Sequence, residues 1–142
     1  MTGALWMILN AYTRPGDKVL IQAPVYHTFS IVIKGAGRFV ESNDLVLEDG
    51  RYEMNFEDLE KKVADPRVRI MLICNPHNPV GRVWTKEELI KVAEICKKNN
   101  TILVGDEIHG DIVYGEHKHT PLFSLSDLSL IHISEPTRRS YI

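Results

Sequence analysis

Two loops of the sequence carry polar side chains suited to binding a charged, planar ligand. The first, residues 75–82, reads NPHNPVGR and follows the apolar segment RIMLIC. The second begins with DEIH at residues 106–109 and follows the apolar segment TILVG. Short segments that are apolar throughout are typical of strands in a parallel sheet covered on both faces. Ligands bind beyond the carboxyl ends of such strands, so we expect the two loops to line one pocket.

The residue types in these loops suit a cofactor that contains a pyridine ring. A carboxylate beside the ring nitrogen keeps that nitrogen protonated, because opposite charges stabilise each other, and Asp106 is placed for this role. Amide and imidazole groups donate hydrogen bonds to a phenolic oxygen, which makes Asn78 and His109 candidates. Tyr26 follows a third apolar segment, KVLIQ, and its ring is of the type that stacks on a flat cofactor.

Each candidate also has a simpler explanation. Asp106 could be a helix cap or a loop acid, His109 a surface residue and Tyr26 a core residue. Asn-Pro is a common turn dipeptide, so we assign Asn75 to the turn and Asn78 to the site. The combination of an acid, an amide and an imidazole on two neighbouring loops favours the cofactor interpretation.

Three other polar residues are less informative. Arg82 is either a solvated charge or a residue that supports the site or an interface. His117 and His119 are two positions apart, and no cysteine or acidic partner stands at metal-site spacing, so we attribute the pair to chance and predict no metal.

Helices and strands alternate along the chain and must position these loops. Apolar periodicity and turn residues predict helices at 2–13, 28–34, 55–63 and 86–99, and strands at 18–22, 38–41, 69–74 and 101–105. The segment from Thr85 to Glu88 is a capping box for the fourth helix. Residues 45–54 are predicted to form a small irregular excursion around Asp49-Gly50. This order of elements predicts an α/β fold with a mostly parallel sheet in three layers, α/β/α.

Composition excludes several kinds of partner. The formal net charge is -2 and no basic run stands out, which argues against nucleic acid and against an anionic membrane surface. No apolar stretch approaches the ~20 residues that span a bilayer, and we find no secretion signal. The two cysteines, Cys74 and Cys96, fit core positions of a reduced protein, and we expect a cytoplasmic location.

The motif NPHNPVGRVW followed by DEIH, together with PGDKVLIQAPVYHTF, resembles the fold-type I pyridoxal-phosphate (PLP) enzymes of the aminotransferase class I/II superfamily. The resemblance covers residues 2–126 and is nearest to the branch of cystathionine β-lyase-like C–S lyases. It implies that Asn78 and His109 contact the phenolic oxygen of PLP, that Asp106 pairs with its pyridine nitrogen and that Tyr26 stacks on the ring. It also implies that backbone amides at Gly3 and Ala4, at the start of the first helix, hold the phosphate.

The same resemblance implies the activity. The favoured reaction of the parent enzyme is β-elimination at a carbon–sulfur bond of cystathionine or a cysteine conjugate, and the alternative is transamination. The family's lysine that forms a Schiff base with PLP follows the DEIH motif, and no lysine here stands in that context. We therefore expect this chain to be catalytically inactive, within a parent that is a homodimer acting on an amino acid. An alternative of another class is a non-catalytic remnant or binding module.

The end of the chain breaks the pattern. Residues 128–138 read LSLIHISEPTR, which resembles the conceptual translation of an adapter from sequencing libraries. We therefore expect residues 1–127 to be part of a PLP-binding large domain and residues 128–142 to be a non-native tail that does not continue the α/β rhythm. A divergent natural C-terminus is the alternative.

Overall fold

Four helices and seven strands form the part of the fold that the structure describes. The structure, a computed structural model, describes residues 2–125 and the backbone of residues 130–133. The helices are α1 (Thr2–Tyr12), α2 (Thr28–Gly35), α3 (Phe56–Val63) and α4 (Lys86–Lys98). The strands are β1 (Lys18–Ile21), β2 (Phe39–Ser42), β3 (Val46–Glu48), β4 (Arg51–Glu53), β5 (Val68–Cys74), β6 (Ile102–Asp106) and β7 (Leu130–Ile133). A short 3-10 helix occupies Leu122–Ser124.

The main sheet is parallel, with strand order β2-β1-β5-β6-β7. The inner strands β1, β5 and β6 are apolar because both of their faces are covered. On one face, sheet residues such as Met71 and Leu103 pack against α3 and α4. On the other face, Ile70 and Val104 pack against α1 and α2. The prediction of a three-layer α/β/α fold is therefore confirmed.

Local sequence signals set the helix starts. Asn55 caps α3 by accepting a hydrogen bond from the Asp58 N–H at 3.0 Å. Thr85 and Glu88 form the predicted capping box at the start of α4, where each side chain accepts the backbone N–H of the other. No helix in the described ranges is long and apolar enough to cross a bilayer.

The excursion at residues 45–54 is more regular than predicted. Strands β3 and β4 pair antiparallel, and Asp49 and Gly50 connect them with positive φ values of 48° and 78°. Two positive φ angles define the two-residue turn whose twist matches that of a hairpin, and Asp-Gly is a preferred sequence for it. The signal was present in the sequence, and the expectation of an irregular segment was wrong.

A buried arginine holds α1 in place. The Arg38 guanidinium, 6% exposed, donates to the Thr13 carbonyl at 2.9 Å, to the Leu9 carbonyl at 3.2 Å and to the Ala36 carbonyl. It also donates to the hydroxyl of Thr13 at 2.8 Å. The Leu9 and Thr13 carbonyls lie in and just after the last turn of α1, and the Ala36 carbonyl follows α2, so the guanidinium joins the ends of the two helices. Helix α1 is thereby fixed beside the start of β1, and its first turn points towards the edge where the strands end.

Strand β7 lies in the segment that we expected to stand outside the fold. Its backbone pairs with β6 in parallel register, from Leu103 opposite Leu130 to Asp106 opposite Ile133. The expectation that the α/β rhythm stops before this segment is wrong for residues 130–133. Residues 126–129 and 134–142 lie outside the described part of the chain, so the predicted boundary at residue 127 does too. The non-native origin of the tail stays a prediction.

Candidate functional site

Four of the six predicted site residues, Tyr26, Asn78, Asp106 and His109, meet at one edge of the sheet. Strands β5 and β6 are neighbours, with Cys74 in register with Asp106, so the loops that follow them start side by side. A cavity of about 200 Å³ lies there, and its walls combine an acid, an amide, an imidazole and a phenol. The lining residues are Tyr26, Cys74, Asn78, Asp106, Ile108 and His109. The expectation that the two loops share a pocket is therefore confirmed, and Tyr26 joins them from the loop after β1.

Asp106 is the charged group of this cavity. The Ile108 N–H donates to its Oδ1 at 3.3 Å. Burial raises the pKa of Asp106, and this bond and the nearby His109 only partly oppose that effect. No lysine or arginine within residues 2–125 forms an ion pair with its carboxylate. A cation placed in the cavity would therefore stabilise the ionised carboxylate that burial disfavours.

The two asparagines of the first loop differ in their contacts. The Asn75 side chain is buried and accepts the Trp84 N–H at 3.1 Å while its amide donates to the Thr120 carbonyl at 3.2 Å. Asn78 is only partly buried, lines the cavity and makes no side-chain hydrogen bond to another described residue. Asn75 is thus committed to holding the loop, whereas the amide of Asn78 is available to a ligand.

Tyr26 lies at the boundary between core and cavity. Its ring makes edge contacts with His27, at a centroid distance of 5.1 Å, and with Phe29, at 6.1 Å. The same ring packs against the core cluster beneath α1 and α2. Tyr26 can therefore be both a core residue and a site residue, because core packing holds its ring in the cavity wall.

Gly3 and Ala4 are not among the residues that line the cavity. They lie in the first turn of α1, on the side of the sheet where the strands end, and no heavy atom lies within 4 Å of a Cβ built on Gly3. The Cβ side of Gly3 is therefore open. Their role as phosphate donors stays a prediction.

Arg82 is buried within a network that supports the first loop. Its guanidinium donates to the Tyr52 carbonyl at 2.7 Å and to the Glu88 carboxylate at 2.5 Å. It also lies 4.6 Å from the centre of the Trp84 ring. Arg82 therefore joins the β3–β4 hairpin to α4, which favours a supporting role over a solvated charge.

Sequence reasoning missed part of the cavity wall. Cys74 was assigned to the core, and it is buried, but its thiol also faces the cavity and donates to the Pro76 carbonyl at 3.1 Å. Burial raises the pKa of Cys74 to about 12. Its place at the end of β5, directly before the first loop, was a signal that could have revealed this.

A second cavity of about 350 Å³ adjoins the first and shares Asn78 and His109 with it. Its other walls are mostly apolar, with His117 at one side. His119 lies elsewhere, with its Nε2 3.5 Å from Glu107 and its Nδ1 3.4 Å from the Asn75 amide. Across the described ranges, no cluster of three or more acidic, histidine or cysteine side chains is arranged to hold a metal ion.

A parallel α/β sheet with an acid, an amide and an imidazole grouped beyond its strand ends defines an α/β protein with a ligand site at the carboxyl edge of its sheet. The family model for aminotransferase class I and II matches residues 2–135. The chain therefore belongs to the aminotransferase class I and II family.

Similar proteins span both activities of this family. Cystathionine beta-lyase PatB of Bacillus subtilis is 48% identical over 124 residues, which are 87% of this chain and 32% of PatB. Cystalysin of Treponema denticola, whose crystal structure contains pyridoxal 5'-phosphate, superposes with a TM-score of 0.89 at 37% identity over 92% of this chain and 34% of cystalysin. N-succinyldiaminopimelate aminotransferase of Mycobacterium tuberculosis gives a TM-score of 0.86 at 29% identity over 92% of this chain and 34% of that protein. The chain thus spans about a third of the length of these relatives.

Proposed function

We propose that these residues form the cofactor-binding part of a PLP-dependent enzyme whose whole protein cleaves the carbon–sulfur bond of cystathionine or a cysteine conjugate. The products of this β-elimination are a thiol, pyruvate and ammonia, with water consumed. The observation that carries the proposal is the grouping of Tyr26, Asn78, Asp106 and His109 around one cavity. The likeness to PatB, named a cystathionine beta-lyase, supports the lyase reaction, and the likeness to cystalysin, whose crystal structure contains pyridoxal 5'-phosphate, supports the cofactor.

The residues of the cavity fit PLP. Asp106 is a partly buried carboxylate with a raised pKa, and no lysine or arginine of residues 2–125 is in ion-pair contact with it, so a protonated pyridine nitrogen would stabilise its ionised form. Asn78 and His109 stand beside it with groups that donate to a phenolate oxygen. Tyr26 offers an aromatic ring to the cofactor ring.

When bound, PLP supplies an electron sink for the charge left by loss of the substrate's α-proton. Asp106 holds the proton on the ring nitrogen, which keeps that sink effective. Asn78 and His109 orient the ring through its phenolic oxygen, and Tyr26 lies against its face. We assign the phosphate to the backbone amides of Gly3 and Ala4, where a helix N-terminus favours an anion.

We further propose that the 142-residue chain binds PLP without covalent attachment and does not turn over substrate. No lysine of residues 2–125 lines either cavity. Lys18, for example, pairs with Glu41 at 2.6 Å and Asp65 at 3.0 Å, at the start of β1 and so away from the strand ends that form the site. The chain is expected to lose its PLP absorbance on dialysis, and retention of the cofactor after borohydride reduction would contradict the proposal.

Transamination by the whole protein is the second candidate, and the likeness to an aminotransferase structure supports it. Both reactions begin with loss of the α-proton and use the same residues here. The purified full-length protein with cystathionine separates them: the lyase releases thiol and pyruvate without a keto acid. Turnover that requires a keto acid and releases no thiol would establish transamination, whereas PLP binding with neither reaction would establish a non-catalytic binding module.

Alanine substitutions at the two asparagines are expected to give opposite phenotypes. Asn78→Ala removes a ligand contact, so PLP affinity falls about tenfold while the melting temperature changes little. Asn75→Ala leaves the buried Trp84 N–H without its acceptor and costs about 1–3 kcal/mol of folding free energy. Fluorescence titration with PLP and chemical denaturation of both variants measure this contrast. Equal losses of affinity in the two variants would contradict the assignment.

We also propose that the whole protein is a homodimer. The support is an exposed apolar surface on the helix layer formed by α1 and α2, where Trp6, Met7 and Ile31 are exposed. Sedimentation equilibrium of the full-length protein decides between dimer and monomer.

A further inference from the structure

His77 connects the first loop, residues 75–82, to the loop after β1, and both loops contribute residues to the cavity. Its backbone closes the first loop: the His77 N–H donates to the Arg82 carbonyl at 2.7 Å, and the Gly81 N–H donates to the His77 carbonyl at 2.8 Å. Its ring reaches the other loop, with Nε2 2.9 Å from the carbonyl oxygen of Pro24. Asn78 directly follows His77, and Tyr26 is two residues after Pro24. One side chain therefore links the segments that carry two of the proposed cofactor contacts.

The chemistry of this contact fixes the state of the ring. A carbonyl oxygen can only accept a hydrogen bond, so Nε2 carries the hydrogen. The other nitrogen, Nδ1, is buried and has no hydrogen-bond partner. Burial lowers the pKa of His77, because a charged ring at 1% exposure would have no water around it. The ring is therefore a neutral Nε2–H donor at pH 7, and it loses that state only when the pH falls through the lowered pKa.

Packing leaves the ring little freedom to turn. It meets the Trp84 ring edge-on at a centroid distance of 5.4 Å, and Trp84 is itself fully buried. The Trp84 indole N–H donates to the Cys74 carbonyl at 2.9 Å, which anchors it to the end of β5. The donor on His77 is thus held, through Trp84, by the end of β5.

We infer that His77 is a positioning residue that sets the distance between Asn78 and Tyr26 across the cavity, acting as a fixed, neutral Nε2–H donor to Pro24. The inference rests on the proposed function in one respect, that the ligand held between these residues is PLP. The link between the loops does not depend on the ligand and can be measured without it.

The first test measures the tautomer and protonation state of the His77 ring by NMR. In the 142-residue chain labelled with ¹⁵N at histidine, the His77 signal, assigned by its loss in His77→Gln, is expected to keep the Nε2–H neutral form as the pH falls from 8 through ~6.5, where a free imidazole titrates. Titration near ~6.5, the value of a free imidazole, or the Nδ1–H form would overturn the inference. This result stands even if the chain does not bind PLP, so it separates failure of the inference from failure of the proposed function.

The second test uses matched variants and PLP affinity. Glutamine carries its amide nitrogen the same number of bonds from Cα as Nε2 of histidine, so His77→Gln keeps the donor, whereas His77→Leu fills similar space without one. We expect the dissociation constant for PLP to rise about tenfold in His77→Leu and less than about threefold in His77→Gln. Equal losses in both would assign His77 to packing alone and overturn the inference. If His77→Leu does not fold, His77→Asn, whose donor is one bond too short, replaces it with the same expected loss.

Discussion

A chain with Asp106→Asn is expected to bind PLP about 100-fold more weakly than the wild-type chain. Asparagine has the shape of aspartate but no charge, so it cannot form a charge-assisted hydrogen bond with a protonated ring nitrogen, and such bonds contribute about 1.5–3 kcal/mol. Titration of each chain with PLP, followed by the quenching of tryptophan fluorescence, gives the two dissociation constants. Asp111→Asn, at an exposed position of the following loop, is the matched control and is expected to bind normally. Equal affinity of the Asp106→Asn chain and the wild-type chain would contradict the role of Asp106.

The same substitution is expected to stabilise the chain when no ligand is present. Burial raises the pKa of Asp106 in the folded state above its value in the unfolded chain. A group with a raised pKa contributes stability at low pH, below its unfolded value, and that contribution is lost as the pH rises through the folded value. Asparagine does not ionise, so the Asp106→Asn chain avoids the cost of a buried charge. Its free energy of unfolding at pH 7 is therefore expected to exceed that of the wild-type chain. Opposite effects on binding and on stability are typical of a residue placed for function.

Trp84→Ala is expected to cost about 3–5 kcal/mol of folding free energy, the range for large aromatic core residues. The side chain is fully buried, and its ring contacts both His77 and the Arg82 guanidinium. Alanine would leave a cavity under the first loop and would leave the Cys74 carbonyl without its donor. Because the total stability of a domain is about 5–15 kcal/mol, this change alone brings the chain near unfolding.

Two controls test the cause of that loss. Trp84→Phe keeps most of the ring but removes the indole N–H, so we expect an intermediate cost of about 1–2 kcal/mol. Trp6→Ala removes the other tryptophan, which is 44% exposed, and is expected to cost much less. Urea denaturation followed by circular dichroism gives all three values. A similar cost for Trp84→Ala and Trp6→Ala would refute the central position of Trp84 in the core.

The features that could be predicted from the sequence are those set by residues close together in the chain. The capping box at Thr85 and the apolar strands are written in adjacent residues, and the site follows from two motifs that directly succeed two strands. Bonds between distant segments left no such signal. His77 and Pro24 are 53 positions apart, and Arg38 reaches Leu9 across 29 positions. Neither an isolated histidine nor an isolated arginine indicates which carbonyl it will meet.

Strand β7 was not predicted for a different reason. Parallel strands pair through backbone groups, which every residue except proline carries in full. A short apolar segment can therefore satisfy the edge of β6 whatever the origin of its sequence. The resemblance of residues 128–138 to an adapter translation led only to a prediction about origin. Strand pairing depends on backbone groups and hydrophobicity, so that resemblance could not predict whether the segment pairs with β6.

Alkylation of the two buried cysteines would report local unfolding of the chain. Burial raises the pKa of both Cys74 and Cys96 to about 12, so at pH 8 only about one thiol in 10⁴ is ionised. An alkylating reagent, which attacks the thiolate, thus modifies the chain when it opens rather than when it is folded. Cys74 reports exposure of the strand end at the candidate site, and Cys96 reports separation of α4 from the sheet. Mass spectrometry of the two modified peptides would time these openings separately, with no label added to the protein.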